Sequence, residues 1–261
     1  MRVMVTGAAG YIGSVLVNQL LSKGYDVLGV DCLMFGGDSI IGFYNHPRFS
    51  FVKADVRDIE TIKPLLSEVD AIVHLAAIVG DPACAKQPEL AEAINWEGSK
   101  NLLEAAHQEQ RVKRFVFAST CSNYGKMEGD EMITEESPLK PVSLYAELKV
   151  KFEKHMLSGS YREDFCPTAL RFATVYGLSP RLRFDLTVNE FTRDVALGKE
   201  LVIFGEQFWR PYCHVEDLAG GCLAVLESDP HKVRLNVFNV GDTKENYQKK
   251  MLAKELQKLI P

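Results

Sequence analysis

The feature that narrows the fold most is a glycine-spaced turn near the start of the chain. Val3-Met-Val-Thr6 reads as a short buried strand, and Gly7-Ala-Ala-Gly10-Tyr-Ile-Gly13 follows at once. A helical pattern then runs over about 12–22, with Lys23-Gly24 as its stop. Strand, glycine turn and helix in that order bring backbone N–H groups and a helix N-terminus to one point, which suits a pyrophosphate. The spacing is G-x-x-G-x-x-G, not G-x-G-x-x-G. Small residues are common in such turns, so the reading rests on the context after the first strand. Gly7, Gly10, Tyr11, Ile12 and Gly13 are the candidate residues of this dinucleotide loop.

Strand and helix patterns then alternate. Residues 25–30 form a second strand ending at Asp31, and 49–54 a third running into Asp55 and Val56. Asp58 suits an N-cap of the following helix. Residues 71–77 are a fourth strand passing His74 and ending in Leu75, Ala76 and Ala77, small enough to let a cofactor lie close to the backbone. His74, at the end of a buried strand, reads as structural. Residues 80–84 read as a loop, 89–108 as one long helix, and 115–118 as a fifth strand with Ser119-Thr-Cys-Ser122 beyond its end. This alternation predicts an α/β fold, a Rossmann-type doubly wound parallel sheet with helices on both faces. Ligands in such sheets bind beyond the carboxyl ends of the strands.

Asp31, at the end of the second strand, can accept hydrogen bonds from both adenosine ribose hydroxyls and would repel a 2′-phosphate. No Lys or Arg lies between Asp31 and Arg48 to offset it, so the cofactor inferred is NAD. Asp55 is placed to meet the adenine amino group, with Val56 packing on the ring.

Tyr145 and Lys149 lie four apart in a helical stretch, hence on one face about one turn apart. A phenol ionises near pH ~10, and lowering that by about three units takes roughly 4 kcal/mol of preference for the phenolate. A Lys and an oxidised, positively charged cofactor alongside supply that in a dry site. Such pairs also occur on ordinary amphipathic helices, and the motifs upstream are what favour a catalytic reading.

After Gly159 the character changes. Residues 168–173 form another strand, Thr174-Val-Tyr-Gly177 leads outward, and helices are expected over 186–197 and after Arg210-Pro-Tyr-Cys-His-Val215. Residues 235–240 read as a late strand and 246–259 as a helix. Phe208 and Trp209 are read as stacking on a base or as packing in the small domain, with packing favoured. The expected division is a dinucleotide domain over 1–165, a strand at 166–175 returning to its sheet, and a substrate-binding region over 176–261.

A formal charge of −5 gives no reason to expect nucleic acid or an acidic membrane as partner, and no apolar run is long enough to span a bilayer. The chain opens on a strand with no leader pattern before it. Its six cysteines show no C-x-x-C pair and no metal-ligand spacing, so no metal is expected. They read as reduced thiols of a cytoplasmic protein.

Taken together, Thr6-Gly-Ala-Ala-Gly-Tyr-Ile-Gly13, Asp31, Asp55-Val56, His74-Leu-Ala-Ala77, Asn95-x-x-Gly98, Ser119-Thr120 with Asn-Tyr-Gly125, and Tyr145-x-x-x-Lys149 resemble an extended short-chain dehydrogenase/reductase of the NAD-dependent epimerase/dehydratase type. Leu170-Arg-Phe172, Val175-Tyr-Gly177 and Arg210-Pro-Tyr-Cys-His-Val215 continue the likeness. The resemblance implies a triad in which Thr120 hydrogen-bonds the reacting oxygen, Tyr145 moves its proton, and Lys149 holds the nicotinamide ribose. It implies a nucleotide-diphosphate sugar as substrate, gripped by Arg210, with Arg181 and Asn189 as further candidates. It also implies a homodimer built from two helices per subunit.

Related 4,6-dehydratases carry Asp and Glu directly after the Thr, where this chain has Cys121 and Ser122, so that activity is demoted. Cys121 is read as a packed thiol or an acid/base, and Ser122 stands where related reductase/epimerases use a Cys. Thr174 replaces an Asn near the substrate of related epimerases, which leaves nucleotide and sugar open. Relatives usually continue past the last helix and place a second phosphate-binding Arg there. Truncation of the chain and a leaner substrate site are both compatible with that. The leading expectation is an epimerase acting through a transient keto-sugar. The alternatives are a keto-sugar reductase or dehydrogenase with net redox, and a cofactor-sensing protein without turnover.

Overall fold

The computed structural model describes residues 1–125, 132–203 and 205–260. Phe204 and Pro261, inside the expected substrate region, and 126–131, inside the expected dinucleotide domain, lie outside the described residues. Among the described residues, seven parallel strands form the main sheet in the order β3-β2-β1-β4-β5-β6-β9. These are β1 (Arg2–Thr6), β2 (Asp26–Asp31), β3 (Phe49–Lys53), β4 (Ala71–His74), β5 (Arg114–Thr120), β6 (Cys166–Phe172) and β9 (Val237–Val240). The order runs outward from β1 to β3, then crosses to β4 on the other side of β1. The crevice at that switch point lies at the carboxyl ends of β1 and β4, where Gly7 and Leu75 stand.

Both faces of this sheet are covered, as near-continuous apolar strands require. Val3 and Val5 point to one side and pack with Leu16, Leu20, Leu218 and Leu223. The last four come from α1 (Tyr11–Ser22) and α8 (Val215–Glu227). Met4, between the two valines, points to the other side and packs with Ile62, Leu102 and Phe152. Those come from α2 (Ile59–Leu66), α5 (Ser99–Gln108) and α6 (Leu144–Ser158). Strand periodicity of two thus separates one core into two layers. Phe152 is fully buried with its ring 4.5 Å from that of Phe117, fixing α6 against β5.

A smaller sheet holds β7 (Thr174–Tyr176), β8 (Trp209–His214) and β10 (Asn246–Gln248), in the order β10-β8-β7. It is flanked by α7 (Thr187–Ala196) and α10 (Lys249–Leu259), with α9 (Pro230–Val233) between α8 and β9. Two elements of the 176–261 segment belong to the nucleotide half. β9 pairs in parallel with β6, Ala169 opposite Val237, and α8 packs in the same layer as α1. The segment therefore leaves the main sheet, builds the small one, and returns.

Several local expectations are corrected. Residues 80–84, read as a loop, open α3 (Asp81–Lys86), because Pro82 at the first turn has no N–H to lose and Asp81 stands at the helix start. The helix expected over 89–108 is α4 (Pro88–Glu92), a π segment (Ala93–Gly98) and α5. Asn95 in that segment turns its amide to the Ile78 N–H and carbonyl, holding the loop after β4. The fourth strand stops at His74, and Leu75, Ala76 and Ala77 leave the sheet. β5 runs through Ser119 and Thr120, so Thr120 closes a strand instead of lying beyond one. The last helix begins at Lys249, since Asn246–Gln248 pairs antiparallel with β8. Trp209 and Phe208, read as packing residues, are about half exposed. Asp58 does cap α2, accepting from the Thr61 N–H and hydroxyl.

His74 is buried between β4 and its neighbours, Nδ1 2.7 Å from Thr6 Oγ1 and Nε2 2.9 Å from Ser99 Oγ. Burial, helped by Lys149, pushes its imidazole down to about 3. The unfolded imidazole takes up its proton near 6.5, the folded one only near 3, so acid favours the unfolded chain. The contribution of His74 is whole above pH 6.5 and is lost as pH falls toward 3, at up to about 1.4 kcal/mol per pH unit. Urea unfolding across that window should show the loss. A His74→Gln variant should be less stable than the parent at pH 8 yet lose less on acidification.

Candidate functional site

The turn after β1 is shaped by backbone approach. Gly7 has φ +73°, and a Cβ there would stand 2.9 Å from the Ala76 N–H nitrogen. At Gly13 a Cβ would be driven into the Gly7 carbonyl oxygen. Gly10 is the N-cap of α1, which has no side-chain cap. The helix N-terminus therefore keeps N–H groups for an outside acceptor, with Tyr11 and Ile12 in its first turn. Leu75 and Ala76 stand beside it, their N–H groups bonded to Thr6 O and Oγ1, and Ala77 follows.

Asp31 ends β2 and accepts from the Ala9 N–H at 3.0 Å and the Leu33 N–H at 2.8 Å. Burial raises its carboxyl above the usual range, opposed by those two bonds and by Arg181. Each oxygen keeps a further acceptor site for a ribose hydroxyl. Asp55, expected at the adenine, is held in a bidentate pair with Arg57 that the sequence reading did not single out, at 3.0 and 2.7 Å. Val56 is buried against Gly98. These residues make a cradle that fits a dinucleotide: a glycine turn a Cβ would fill, an uncapped helix start and a strand-end carboxylate.

The second wall is built by β5 and α6. Ser143 caps α6 by accepting from the Ala146 N–H, which fixes Tyr145 and Lys149 one turn apart at its start. Both are buried, and so is Thr120 at the end of β5. Lys149 Nζ donates to the Ala118 carbonyl at 2.8 Å and lies 4.6 Å from the Phe117 ring centre and 6.0 Å from that of Tyr145. Thr120 lies beside the Tyr145 phenol and favours its ionised form. Burial decides the protonation of both catalytic candidates. It raises the Tyr145 phenol, with Cys121 and Cys84 adding and Thr120 and Arg183 opposing. It pushes the Lys149 ammonium down to about 7, with Cys84 opposing. The chain's own groups thus hold a neutral phenol beside a readily deprotonated amine, and Lys149 by itself does not lower the phenol as the sequence reading expected.

Behind this wall lies a buried ion pair, betrayed in the sequence only by a charged residue within the apolar strand Leu170-Arg-Phe172. Arg171 of β6 meets Glu153 of α6 at 2.5 Å, the two side chains 5% and 1% exposed. Ser119 donates to Glu153 at 2.6 Å, and Asn123 donates to both. Arg171 also donates to the Tyr124 hydroxyl, which donates to Asn239 of β9. Four elements around Thr120 and Tyr145 are tied together by it.

On the open side, Cys121 follows Thr120 in a short 3-10 turn (Cys121–Tyr124), and Ser122 donates its N–H to Thr120 Oγ1. Cys121 is half-buried and faces Thr174 of β7 and Arg210 of β8. Burial raises its thiol, with Arg210 and the Thr174 bond opposing. Thr120, Cys121, Tyr145, Thr174 and Arg210 thus come together. Asn189 does not join them as a free ligand. Its amide accepts from the Gly177 N–H and donates to the Tyr11 hydroxyl and the Arg183 carbonyl. Arg181 turns elsewhere too, onto the Phe35 ring at 4.2 Å beside Asp31. Arg183 pairs with Asp185 and acts on both Tyr11 and Tyr145.

A model of the NAD dependent epimerase/dehydratase family matches residues 3–241. The chain belongs to that family. It is 36% identical over 252 residues to the uncharacterized UDP-glucose epimerase YtcB of Bacillus subtilis, covering 92% of this chain and 77% of that one. The fold is similar to that of UDP-glucose 4-epimerase from Thermotoga maritima with UDP-glucose, at 28% identity and a TM-score of 0.87 over 100% of this chain and 82% of that one. It is also similar to UDP-glucuronic acid 4-epimerase from Bacillus cereus in complex with UDP-glucuronic acid and NAD, at 28% identity and a TM-score of 0.86, covering 99% and 83%. As a member of this epimerase/dehydratase family the protein is an NAD-dependent enzyme, and its cradle fits that cofactor. Among the described residues no helix is long and apolar enough to cross a membrane.

Gly13→Ala should displace the turn and empty the cradle. The expected result is loss of nucleotide from the purified protein, seen as a lower absorbance ratio at 260 to 280 nm, with a lower melting temperature. Glu153→Gln, which leaves Arg171 buried without its counter-charge, should cost about 3–5 kcal/mol in urea unfolding. Replacing the pair together with apolar residues should cost less.

Proposed function

We propose that the protein is a nucleotide-sugar 4-epimerase acting on a UDP-hexose. The observation that carries this is the convergence of Thr120, Tyr145 and Lys149 on one buried wall facing Cys121, Thr174 and Arg210. The relatives whose names specify UDP-glucose or UDP-glucuronate epimerisation support the choice of substrate. NAD, when bound, supplies a reversible hydride acceptor at a sugar carbon.

The chain's own part is the proton. Tyr145 takes it from the sugar hydroxyl and returns it to the same oxygen after the ketone has turned, so no net redox change results. Thr120 hydrogen-bonds that oxygen and holds it at the phenol. A neutral phenol has to be made basic first; Thr120 and Arg183 act in that direction, and the positive charge of an oxidised cofactor brought alongside would add to it. Arg210 offers a guanidinium fork to the diphosphate. No carboxylate follows Thr120 to drive elimination of water, which disfavours a dehydratase. A homodimer is carried into this reading from the family, and a cytoplasmic location from the six unpaired cysteines.

Incubation with UDP-galactose should yield UDP-glucose, and UDP-glucuronate should be tried beside it. Tyr145→Phe should lower turnover by about 10²–10⁴-fold while the denatured variant still releases NAD(H). Full turnover in Tyr145→Phe would remove the phenol from the mechanism. Stoichiometric consumption of added NAD(H) would instead favour the reductase reading.

A further inference from the structure

We propose that Arg181 belongs to the cofactor site, as the residue that sets how far a 2′-phosphate on the adenosine ribose is tolerated. This rests on the cofactor assignment and not on the sugar reading. Arg181 comes from the 177–189 segment, which the sequence reading assigned to substrate. Its guanidinium lies 4.2 Å from the centre of the Phe35 ring, four residues past Asp31. The backbone N–H of Arg181 donates at 3.3 Å to Ser179 Oγ, which donates to the Tyr11 carbonyl at 2.7 Å and meets Ser14 Oγ at 3.2 Å. The cation is therefore fixed at both ends, on the first turn of α1 and on the chain beyond β2. Those two places flank the acceptor atoms of Asp31.

The neighbouring cation does not share this position. Arg183 is engaged by Asp185, whereas Arg181 stacks on an aromatic face, with Arg183, Asp185 and Asp31 all acting on its guanidinium. Arg210 works on the opposite wall with Cys121. Asp31 alone would repel a 2′-phosphate, which accepts hydrogen bonds and carries up to two negative charges. A guanidinium beside it offers the matching fork and cancels the repelling charge. No Lys or Arg lies between Asp31 and Arg48, so the sequence alone reads as NAD rather than NADP. The fold supplies the missing cation from the other half of the chain, and selectivity is weaker than Asp31 by itself would impose.

The test equilibrates purified protein with a fixed mixture of NAD and NADP, removes unbound nucleotide, denatures, and counts both by chromatography. Arg181→Ala should lower the bound NADP:NAD ratio on the order of tenfold, and Arg181→Lys should keep most of it. Asp31→Asn should raise the NADP share, and adding Arg181→Ala should reverse that gain. Arg181→Gln, which keeps length and donors without the charge, replaces Ala if that variant does not fold. An unchanged ratio in Arg181→Ala or Gln, in both the parent and Asp31→Asn backgrounds, overturns the proposal. So does a ratio that stays constant while calorimetry shows weakened UDP binding, which would return Arg181 to the substrate diphosphate.

Discussion

The approach of Gly13 to the Gly7 carbonyl is the constraint on which the molecule turns. Two backbone segments meet there with no room for a side chain, and that contact sets the angle at which α1 leaves β1. Because α1 then lies along the sheet with Leu16 and Leu20 buried, α8 can pack beside it and close one layer of the core. The same contact aims the start of α1 at the switch point between β1 and β4. Fold and anion site follow from one steric fact, and neither can be altered there without the other.

The opposite wall is organised by desolvation. Lys149 and Tyr145 are both nearly sealed from water, and each is pushed toward its neutral form. Neutral groups in a dry wall cost less to bury than ions, and they respond sharply to charge brought alongside. The charged machinery is kept one layer deeper, where Glu153 and Arg171 satisfy each other and three further side chains, Ser119, Asn123 and Tyr124. That pair is too buried to take part in chemistry. Its use is geometric: it fastens β5, β6, β9 and α6 so that Thr120 and Tyr145 stay side by side on one wall. Buried charge is retained here where an apolar pair would serve stability as well, which points to positioning as its value.

What could be read in the chain depended on how local the physics was. The main strands, the glycine turn, Asp31 at a strand end and the Tyr145–Lys149 spacing are set by neighbours in sequence, and they were legible. Asp58 as a cap was legible for the same reason. The downward push on the Lys149 ammonium was not, because burial is a property of the assembled wall. Asn189 read as a ligand, since nothing nearby announces that Gly177, Tyr11 and Arg183 will take its amide. Asn246–Gln248 read as helix because the strand is induced by pairing with β8. Glu153 and Arg171 looked like an ordinary helix acid and strand base. A charged residue within an otherwise apolar strand, Leu170-Arg-Phe172, was the one signal that a buried partner had to exist.

The 177–189 segment joins what the sequence seemed to divide. The Tyr11 hydroxyl donates to the Gly177 carbonyl and accepts from Asn189, while Ser179 binds the Tyr11 carbonyl and Ser14. At about 1 kcal/mol each, these four bonds hold the cofactor turn and the edge of the small sheet together with roughly 4 kcal/mol. Opening the cleft by swinging this segment would break all of them and strand the buried Ser179 hydroxyl. The cofactor side of the cleft is therefore preformed, and discrimination there must come from which groups are fixed on its rim, not from a closing motion. A fixed rim is also what makes a single side chain such as Arg181 able to weigh on the choice of nucleotide, because no rearrangement is available to move it out of the way.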